Sequence, residues 1–313
     1  MSTIFLFPGQ GSQKVGMGQE LYQRYALVKQ KFEQANDILN QDLSALIFDG
    51  PSEELQLTYN AQPAILLLSV AILEVLNEEY GLKANAVAGH SLGEFSALVA
   101  AGGLSFEDAL KTVKKRGELM QEAVPAGVGS MAAVLGAEDA LVENVCAEIS
   151  KEGNRVEPAN YNCPGQLVIS GHKQAVDQAC EQLKAKGVKR CIPLKVSAPF
   201  HSSLLEPAGR ALRPYLEQID WSKTLNIPYW ANVDAQKYTN TQGVVDRLES
   251  QVWSGVKWTQ SLQAIFAENP DAKCIEVGPG NVVCGHVKKI NPEIMCVPSQ
   301  TEQDIQNLVK ASV

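Results

Sequence analysis

The sequence predicts an α/β protein built around a mainly parallel sheet. Short apolar runs that are typical of buried strands alternate along the chain with segments of helical periodicity. The chain has 313 residues, of which 45% are hydrophobic and 20% are charged. This length and composition are those of a globular protein with a substantial core.

Four apolar runs predict the strands of a large domain. They are residues 3–7 (TIFLF), 86–89 (AVAG), 227–233 (IPYWANV) and 274–278 (CIEVG). The first run ends at a Pro-Gly pair and the last is closed by the sequence GPG. Such residues are expected where a buried strand meets a turn.

Helical segments connect these strands. The apolar stretch 64–76 is too short to span a bilayer and predicts a buried helix that starts near Pro63, where a missing N–H costs little. A second helix follows the strand at 86–89 and ends at a Gly-Gly pair. Ser105 and Asp108 then have the spacing of a capping box, which begins a helix of about 17 residues.

Between residues 127 and 196 the order of elements changes. Strand patterns cover GSMAAVLG, VEPANYN, QLVISG and RCIPLKV, and helical patterns cover residues 137–151 and 173–186. The resulting order, β-α-β-β-α-β, is that of a ferredoxin-like domain. We therefore predict a small ferredoxin-like domain at 127–196, inserted into a large α/β domain formed by 1–126 and 197–313.

Charge and cysteine content exclude several classes of protein. A formal net charge of −8 gives no general affinity for nucleic acid. The N-terminal segment lacks the basic region and the long apolar run of a signal peptide, and no stretch predicts a membrane association. The seven cysteines include no C-x-x-C pair, which argues against a disulfide framework or a zinc site. We expect a cytoplasmic protein, and we expect it to be a monomer.

Ser91 lies in the sequence GHSLG, a G-x-S-x-G motif between a predicted strand and a predicted helix. A sharp strand-to-helix turn exposes a serine oxygen, and the flanking glycines allow close approach of backbone and substrate. The N–H groups at the start of the helix would stabilise a developing oxyanion. The same motif occurs in turns that simply require glycine, but this context favours a nucleophile in a hydrolase-like large domain.

Four histidines could accept the proton of Ser91. His90 adjoins the serine, so its side chain should point away from the same surface, and His172 lies at a turn of the small domain. His201 follows a strand at the junction between the two predicted domains, where clefts form. His286 lies near the C-terminus, where an α/β-hydrolase carries its triad histidine. Position favours His201 over His286, and a packing role stays open for each.

Arg116 lies on the inward stripe of the helix that follows Ser105, together with Ala109, Val113 and Met120. An arginine in such a position can extend to the rim of the protein. If it ends in the cleft, its planar guanidinium can bind a carboxylate through two parallel hydrogen bonds. An esterase for neutral substrates has no need of that group.

These residues together resemble those of the malonyl-CoA:acyl-carrier-protein transacylases, the acyltransferases that load malonyl units for fatty-acid synthesis. The resemblance covers nearly the whole chain and follows the order of the family's motifs. These are FPGQGSQ (7–13), AQPAI (61–65), GHSLGE (89–94), GSMAAV (129–134), NYNCPGQLVISG (160–171), APFHS (198–202), ANVDA (231–235), QVWSGVKW (251–258) and EVGPG (276–280).

The resemblance implies a set of catalytic roles. Ser91 would be the nucleophile that accepts the acyl group, and His201 would be its general base and acid. The backbone N–H groups of Gln10 and Leu92 would form the oxyanion hole. Arg116 would pair with the free carboxylate of the malonyl group.

Further residues are assigned by the same resemblance. Gln251 occupies the position whose backbone carbonyl orients the histidine in this family. Phe200, directly before the histidine, is similar to the malonyl-selecting form of the motif. Met120 and Asn160 are expected to complete the substrate-binding site.

The implied reaction is a ping-pong transfer from malonyl-CoA to the phosphopantetheine thiol of acyl carrier protein, without a metal or a redox cofactor. A local basic surface for the acidic carrier protein could come from KAKGVKR (184–190) together with Lys111, Lys114 and Lys115. Two other classes of function stay open. One is a serine thioesterase or esterase that uses water as the acceptor, and the other is a non-catalytic acyl-binding relative.

Overall fold

The computed structural model describes residues 2–125, 127–150, 154–196 and 198–310. Its strands, in chain order, are β1 (Thr3–Phe7), β2 (Ala86–Gly89), β3 (Gly129–Leu135), β4 (Val156–Cys163), β5 (Gln166–His172), β6 (Arg190–Pro193), β7 (Thr224–Trp230), β8 (Lys237–Asn240), β9 (Lys273–Glu276) and β10 (Met295–Pro298). They form two sheets, one of six strands and one of four strands.

The helices surround these sheets. In chain order they are α1 (Gln19–Arg24), α2 (Ala26–Leu39), α3 (Leu43–Asp49), α4 (Ser52–Gln56), α5 (Thr58–Glu74), α6 (Gly93–Ala100), α7 (Phe106–Glu122), α8 (Asp139–Ser150), α9 (Lys173–Ala185), α10 (Glu206–Glu217), α11 (Val244–Gln251), α12 (Trp258–Glu268), α13 (Val282–Ile290) and α14 (Glu302–Lys310). A π-helical turn at Val75–Glu79 extends α5, and a 3₁₀ turn at Ser203–Leu205 precedes α10.

The larger sheet has the strand order β10-β9-β1-β2-β7-β8. All of its neighbouring strands are parallel except β7 and β8, which are antiparallel. The predicted α/β class with a mainly parallel sheet is therefore confirmed. The edge strands β8 and β10 were not predicted. The residues of β8 are polar and largely exposed, and those of β10 are exposed or half-buried at the edge of the sheet.

The smaller sheet is antiparallel and has the order β4-β5-β3-β6. This is the ferredoxin-like arrangement that the sequence predicts, and α8 and α9 pack on the sheet over a separate apolar core. Residues 126 and 197, at which the predicted boundaries fall, lie outside the described residues. The division of the chain at 127–196 therefore stays a prediction.

Helix α5 runs through the core of the large domain, in contact with α2, α6 and α7. It begins at Thr58, so the prediction that the helix starts near Pro63 is wrong, and the proline lies inside it. The five residues before the proline, TYNAQ, read as a polar segment outside the helix. Three of them, Thr58, Asn60 and Gln62, are nevertheless buried, because hydrogen bonds to other elements satisfy their side chains.

With its π-helical extension, this helical segment spans Thr58–Glu79, which is 22 residues. By length and composition alone it could cross a membrane, which the shorter apolar stretch 64–76 did not indicate. However, 89% of its most apolar window is buried inside the protein, as expected for the core helix of a packed domain.

Candidate active site

Ser91 lies at the tip of the turn that joins β2 to α6. Its φ angle is 51°, in the left-handed region, so the backbone reverses sharply there. The glycines on either side permit this turn. A β-carbon on Gly89 would collide with the backbone of Gly93, and one on Gly93 would collide with the carbonyl of Phe7. The G-x-S-x-G spacing therefore packs the start of α6 against β1 and β2 and directs the serine away from the sheet.

The side chain of His201 meets that of Ser91. The distance from Ser91 Oγ to His201 Nε2 is 2.8 Å, and both residues are buried. On the other side of the ring, His201 Nδ1 lies 2.8 Å from the backbone carbonyl oxygen of Gln251. Because a carbonyl can only accept, Nδ1 carries the proton and Nε2 presents a lone pair to the serine.

Burial and the nearby Arg116 cation lower the pKa of His201 to about 3. The imidazole is therefore neutral at neutral pH, which is the state a general base requires.

The other histidines have different surroundings. His90 is among the residues at the cleft, and its ring packs against Trp258 and near His286, with Nε2 2.8 Å from Asn162 Oδ1. His172 ends β5, where its Nδ1 accepts a hydrogen bond from the backbone N–H of Arg155. His286 is buried on α13, with its ring centroid 6.2 Å from that of His90.

Asp234, a carboxylate in the ANVDA motif, does not serve the histidine. Its Oδ1 accepts from the backbone N–H of Gln236, and its Oδ2 accepts from the hydroxyl of Tyr238 at 2.6 Å. The group that orients His201 is thus a backbone carbonyl.

Arg116 projects from α7 to the floor of the same site and is 1% exposed. Its Nη1 donates to Gln62 Oε1 at 2.8 Å, and its Nη2 donates to Gln251 Oε1 at 2.8 Å and to Ser91 Oγ at 3.1 Å. All of these acceptors are neutral. Burial lowers the pKa of Arg116 to about 10, so the guanidinium stays a cation at neutral pH. A buried cation among neutral acceptors, beside the serine oxygen, is suited to an anionic group on a substrate.

A cleft of about 480 Å³ opens above these residues. It lies between the two sheets, because its walls include Met131 of β3 and Asn160 of β4 as well as the serine turn. The remaining candidate residues from the sequence also line it; they are Gln10, Leu92, Met120 and Phe200.

The loop that carries Gln10 packs directly against the serine turn. A β-carbon on Gly9 would lie 2.6 Å from the carbonyl oxygen of His90, so this approach requires glycine. Leu92 directly follows the serine and caps the N-terminus of α6, where peptide N–H groups point outward. The peptide groups of Gln10 and Leu92 are therefore brought to the same wall of the cleft as Ser91.

Three residues of the site lie within the family's motifs but were assigned no role from the sequence: Gln62, Glu94 and Asn232. Asn232 Oδ1 accepts from the backbone N–H of Ser91 at 2.7 Å, and its Nδ2 donates to the carbonyl of Gly89 at 2.8 Å. It therefore fixes the turn from outside the G-x-S-x-G sequence. The only signal in the sequence was that each residue lies within one of the family's motifs, and the structure shows what each one contacts.

The side chain of Gln251 also forms hydrogen bonds within the site, in addition to its backbone carbonyl. Its side-chain Nε2 donates to the carbonyl of Ser91 at 2.9 Å and to Glu94 Oε2 at 2.8 Å. Its Oε1 accepts from Arg116, so one residue contacts the turn that carries the nucleophile, the base and the buried cation.

The lysines of α7 do not line the cleft. Lys111 and Lys115 pair with Glu107 and Glu118 on their own helix, and with Lys114 they line a separate depression. The basic side chains of KAKGVKR are exposed at the end of α9, in the turn that follows it and at the start of β6. A different basic residue, Lys195, lines the cleft itself. Among the residues that the structure describes, no three His, Cys, Asp or Glu side chains are grouped as metal ligands would be.

The site combines a buried serine on a strand-to-helix turn, a histidine hydrogen-bonded to it, and peptide N–H groups beside it. This combination defines the class of proteins that transfer acyl groups through serine. The family model described as an acyl transferase domain matches residues 4–298 of this chain.

The relatives are more specific. The malonyl CoA-acyl carrier protein transacylase of Bacillus subtilis strain 168 is 48% identical over 313 residues, covering 98% of each chain. The protein of the same name from Escherichia coli K12 is 44% identical over 286 residues, covering 91% of this chain and 92% of the other. The chain therefore belongs to the malonyl CoA-acyl carrier protein transacylase family, as its motifs indicated.

Solved structures agree in fold. An acyl carrier protein S-malonyltransferase from Vibrio cholerae superposes with a TM-score of 0.95 at 42% identity, covering 98% of this chain and 100% of the other. A malonyl-transacylase solved in complex with a type II PKS acyl-carrier protein superposes with a TM-score of 0.96 at 38% identity, covering 99% of this chain and 100% of the other.

Proposed function

We propose that this protein transfers the malonyl group of malonyl-CoA to the phosphopantetheine thiol of acyl carrier protein, through a malonyl ester on Ser91, for fatty-acid synthesis. The observation that carries the proposal is the buried Arg116 cation, whose Nη2 lies 3.1 Å from the serine oxygen. An acyl group attached to Ser91 would place its far end beside the guanidinium. A malonyl group presents a carboxylate there, whereas an acetyl group presents only a methyl.

Acylation begins with the neutral His201. Its Nε2 takes the proton of Ser91 Oγ as that oxygen attacks the thioester carbon. The carbonyl oxygen becomes an oxyanion, which the N–H groups of Gln10 and Leu92 stabilise. The imidazolium donates from Nδ1 to the carbonyl of Gln251, and it then gives its other proton to the sulfur of CoA as the thioester bond breaks.

Deacylation reverses these steps with a new thiol. His201 takes the proton of the phosphopantetheine thiol, whose sulfur attacks the ester carbon of malonyl-Ser91. The bond between the acyl carbon and Ser91 Oγ breaks, and the serine oxygen regains a proton from Nε2. The malonyl thioester of the carrier protein is released and the free enzyme is restored. All proton transfers use one histidine, so the reaction needs only this chain and its two substrates.

The remaining cleft residues would shape the acyl pocket. Met120 lies one turn along α7 from Arg116, and Phe200 precedes the base, so both limit the space around a short acyl chain. Asn160 enters from β4 and provides a polar group on the opposite wall. Substrate would thus bind between the large domain and the small domain, which we propose to be residues 127–196.

We further propose that the enzyme is a cytoplasmic monomer. The seven cysteines are free thiols, and a reducing compartment would keep them so.

The main alternative is hydrolysis, with water as the acceptor. It would share the serine, the histidine and the acyl-enzyme, so it differs only in the second half of the reaction. Release of CoA should be measured with and without acyl carrier protein. Fast turnover that depends on the carrier supports transfer, and equally fast turnover in its absence would establish a hydrolase.

Brief exposure to malonyl-CoA should leave a malonyl ester on Ser91. The reason is the 2.8 Å contact between Ser91 Oγ and His201 Nε2, which activates this hydroxyl. Intact-protein mass spectrometry should show one added malonyl unit in the wild type and none in Ser91→Ala. Ser203→Ala, which changes a serine two residues after the base, is the control and should still be labelled. Label retained in Ser91→Ala would place the nucleophile elsewhere.

The rate of acylation should show no loss as the pH falls from 8 to about 5. The base must be neutral, and burial together with Arg116 holds the pKa of His201 far below its ordinary value of 6.5. Protonation therefore removes the base only at a much lower pH. The measurement is kcat/KM with malonyl-pantetheine, which lacks the titrating phosphates of CoA, with recovery of activity at pH 7 as the check on folding. An acid limb centred near pH 6.5 would contradict this environment for the base.

A further inference from the structure

Glu94 is a buried carboxylate that the proposed mechanism does not use. It lies in the first turn of α6, is 1% exposed, and directs its side chain beneath Ser91. Its Oε2 accepts hydrogen bonds from Gln251 Nε2 at 2.8 Å and from the backbone N–H of Asn232 at 3.1 Å. Within the described part of the chain, its Oε1 is buried without any hydrogen-bond partner. A buried carboxylate oxygen without a donor is costly as an anion, and the same oxygen is free to carry a proton.

The side-chain amide of Gln251 connects Glu94 to Arg116. Its orientation is fixed, because a guanidinium can only donate and a carboxylate accepts. Accordingly, Gln251 Oε1 faces Arg116 Nη2 and Gln251 Nε2 faces Glu94 Oε2, each at 2.8 Å. Glu94 also acts on the charge of Arg116, since its carboxylate favours the protonated guanidinium. The empty site thus holds a buried cation and a buried acid separated by one amide group.

We propose that Glu94 is the counter-charge of Arg116 in the empty site and takes up a proton when the carboxylate of a malonyl group binds Arg116. This inference rests on the proposed function, because it needs an anionic acyl group at Arg116. With malonyl bound, two carboxylates would otherwise share one buried guanidinium, and like charges in a buried site do not both stay ionised readily. The proton comes from solvent and binds Oε1, so it offsets part of the negative charge that the malonyl carboxylate adds to the site.

Four other charged or titratable groups face Glu94, from α11, β7, the turn after β7 and α7. Arg247 on α11 favours the ionised carboxylate, and Asp234, in the turn after β7, opposes it. Burial, together with the charge of this carboxylate, raises the pKa of the Tyr229 phenol on β7. Arg116 on α7 is the remaining group, and it is the one whose charge changes partner when substrate binds.

These surroundings bring the pKa of Glu94 close to neutral pH. Burial raises the pKa of Glu94 to about 7, against the opposing effect of its hydrogen bonds from Gln251 and Asn232. An added negative charge at Arg116 raises the pKa of Glu94 further, so the bound state holds more of the proton than the free state does. Raising the pH therefore opposes malonyl binding, and it leaves acetyl binding unaffected at this residue. Glu94 acts here as a positioning residue that sets specificity, through Gln251 and Arg116.

Glu94→Gln is a close test because it removes the charge and keeps the geometry. Its amide oxygen can replace Oε2 and accept from Gln251 and Asn232, and its NH₂ group occupies the place of the unpartnered Oε1. The variant is neutral at every pH, so it should bind malonyl-CoA with no more proton uptake than acetyl-CoA. The matched control is Glu276→Gln, which changes a fully buried carboxylate on β9 that accepts hydrogen bonds from the N-terminus of α13.

The first measurement is titration calorimetry at pH 7.5 in buffers of different ionisation enthalpy, with Ser91→Ala as the parent so that no transfer occurs. Malonyl-CoA should bind with about half a proton more uptake than acetyl-CoA, whose phosphates titrate identically. This difference should vanish in Ser91→Ala/Glu94→Gln and persist in Ser91→Ala/Glu276→Gln.

The second measurement is the ratio of kcat/KM for malonyl-CoA over acetyl-CoA from pH 6 to 9, with Ser91 intact. The ratio should fall by up to ~10-fold in the wild type and in Glu276→Gln, because one unit of pKa difference between free and bound states corresponds to that factor. It should stay level in Glu94→Gln.

Equal proton uptake with and without Glu94→Gln, or no malonyl-specific uptake in the Ser91→Ala parent, would overturn the inference. If a thermal unfolding scan shows that Glu94→Gln does not fold, the malonyl-specific proton uptake measured in Ser91→Ala is sufficient on its own. Failure of the wild type to transfer malonyl at all would instead refute the proposed function. A wild type that transfers malonyl with the same pH profile as Glu94→Gln would refute only the inference about Glu94.

Discussion

Replacing His201 with alanine should lower kcat/KM for malonyl transfer by at least ~10²-fold, the scale of general acid–base catalysis. His201 Nε2 is 2.8 Å from the serine oxygen, and every proposed proton transfer passes through this nitrogen. Both halves of the reaction should slow, because acylation and deacylation share the same base. The measurement is a single-turnover assay that follows loss of malonyl-CoA and, separately, decay of the malonyl-enzyme after carrier protein is added.

The matched control for this loss is His286→Ala. His286 is the rival candidate from the sequence and is also a buried histidine, whose pKa burial lowers to about 3. It lies on α13 next to His90, so its removal should leave the proton transfers at Ser91 intact. Activity that survives His201→Ala but is lost in His286→Ala would reverse the assignment of the base and favour a triad like that of the hydrolases.

Local rules were sufficient to predict the serine turn, and position along the chain favoured His201 over His286 as the base. The strand at 86–89, the two glycines around Ser91 and the helix after them are all encoded within a few residues, and the structure follows them. The position of His201 required one further step, namely that the junction with the inserted domain forms a cleft. The arginine followed from helical periodicity, because a cation on an apolar stripe of α7 is unusual unless something meets it.

The residues that hold these groups could not be assigned in this way. Asn232 and Gln62 come from distant parts of the chain, and polar side chains in the sequence give no sign that they are buried. Their burial depends on partners that only the folded chain brings close, namely the backbone of Ser91 for Asn232 and the guanidinium of Arg116 for Gln62. For the same reason the start of α5 was predicted too late.

Replacing Arg116 with alanine should change which acyl group the enzyme transfers. The guanidinium is buried, its three acceptors are neutral, and it lies 3.1 Å from the nucleophilic oxygen. A charge-assisted pair with the malonyl carboxylate contributes roughly 1.5–3 kcal/mol, which corresponds to about 10- to 150-fold in the preference for malonyl over acetyl. Arg116→Ala should lose that preference, while acetyl transfer should hold or rise because the pocket no longer contains a desolvated cation.

Arg116→Lys distinguishes charge from geometry at the same position. Lysine keeps the positive charge but offers a single ammonium, which cannot bond Gln62, Gln251 and a carboxylate with the planar spread of the guanidinium. We therefore expect it to restore only a small part of the malonyl preference. The measurement is the ratio of kcat/KM for malonyl-CoA over acetyl-CoA in the wild type and both variants. A ratio that Arg116→Ala leaves unchanged would make Arg116 a packing residue. Another group in the cleft would then have to select malonyl. Among the described lining residues, Lys195 is the remaining cation.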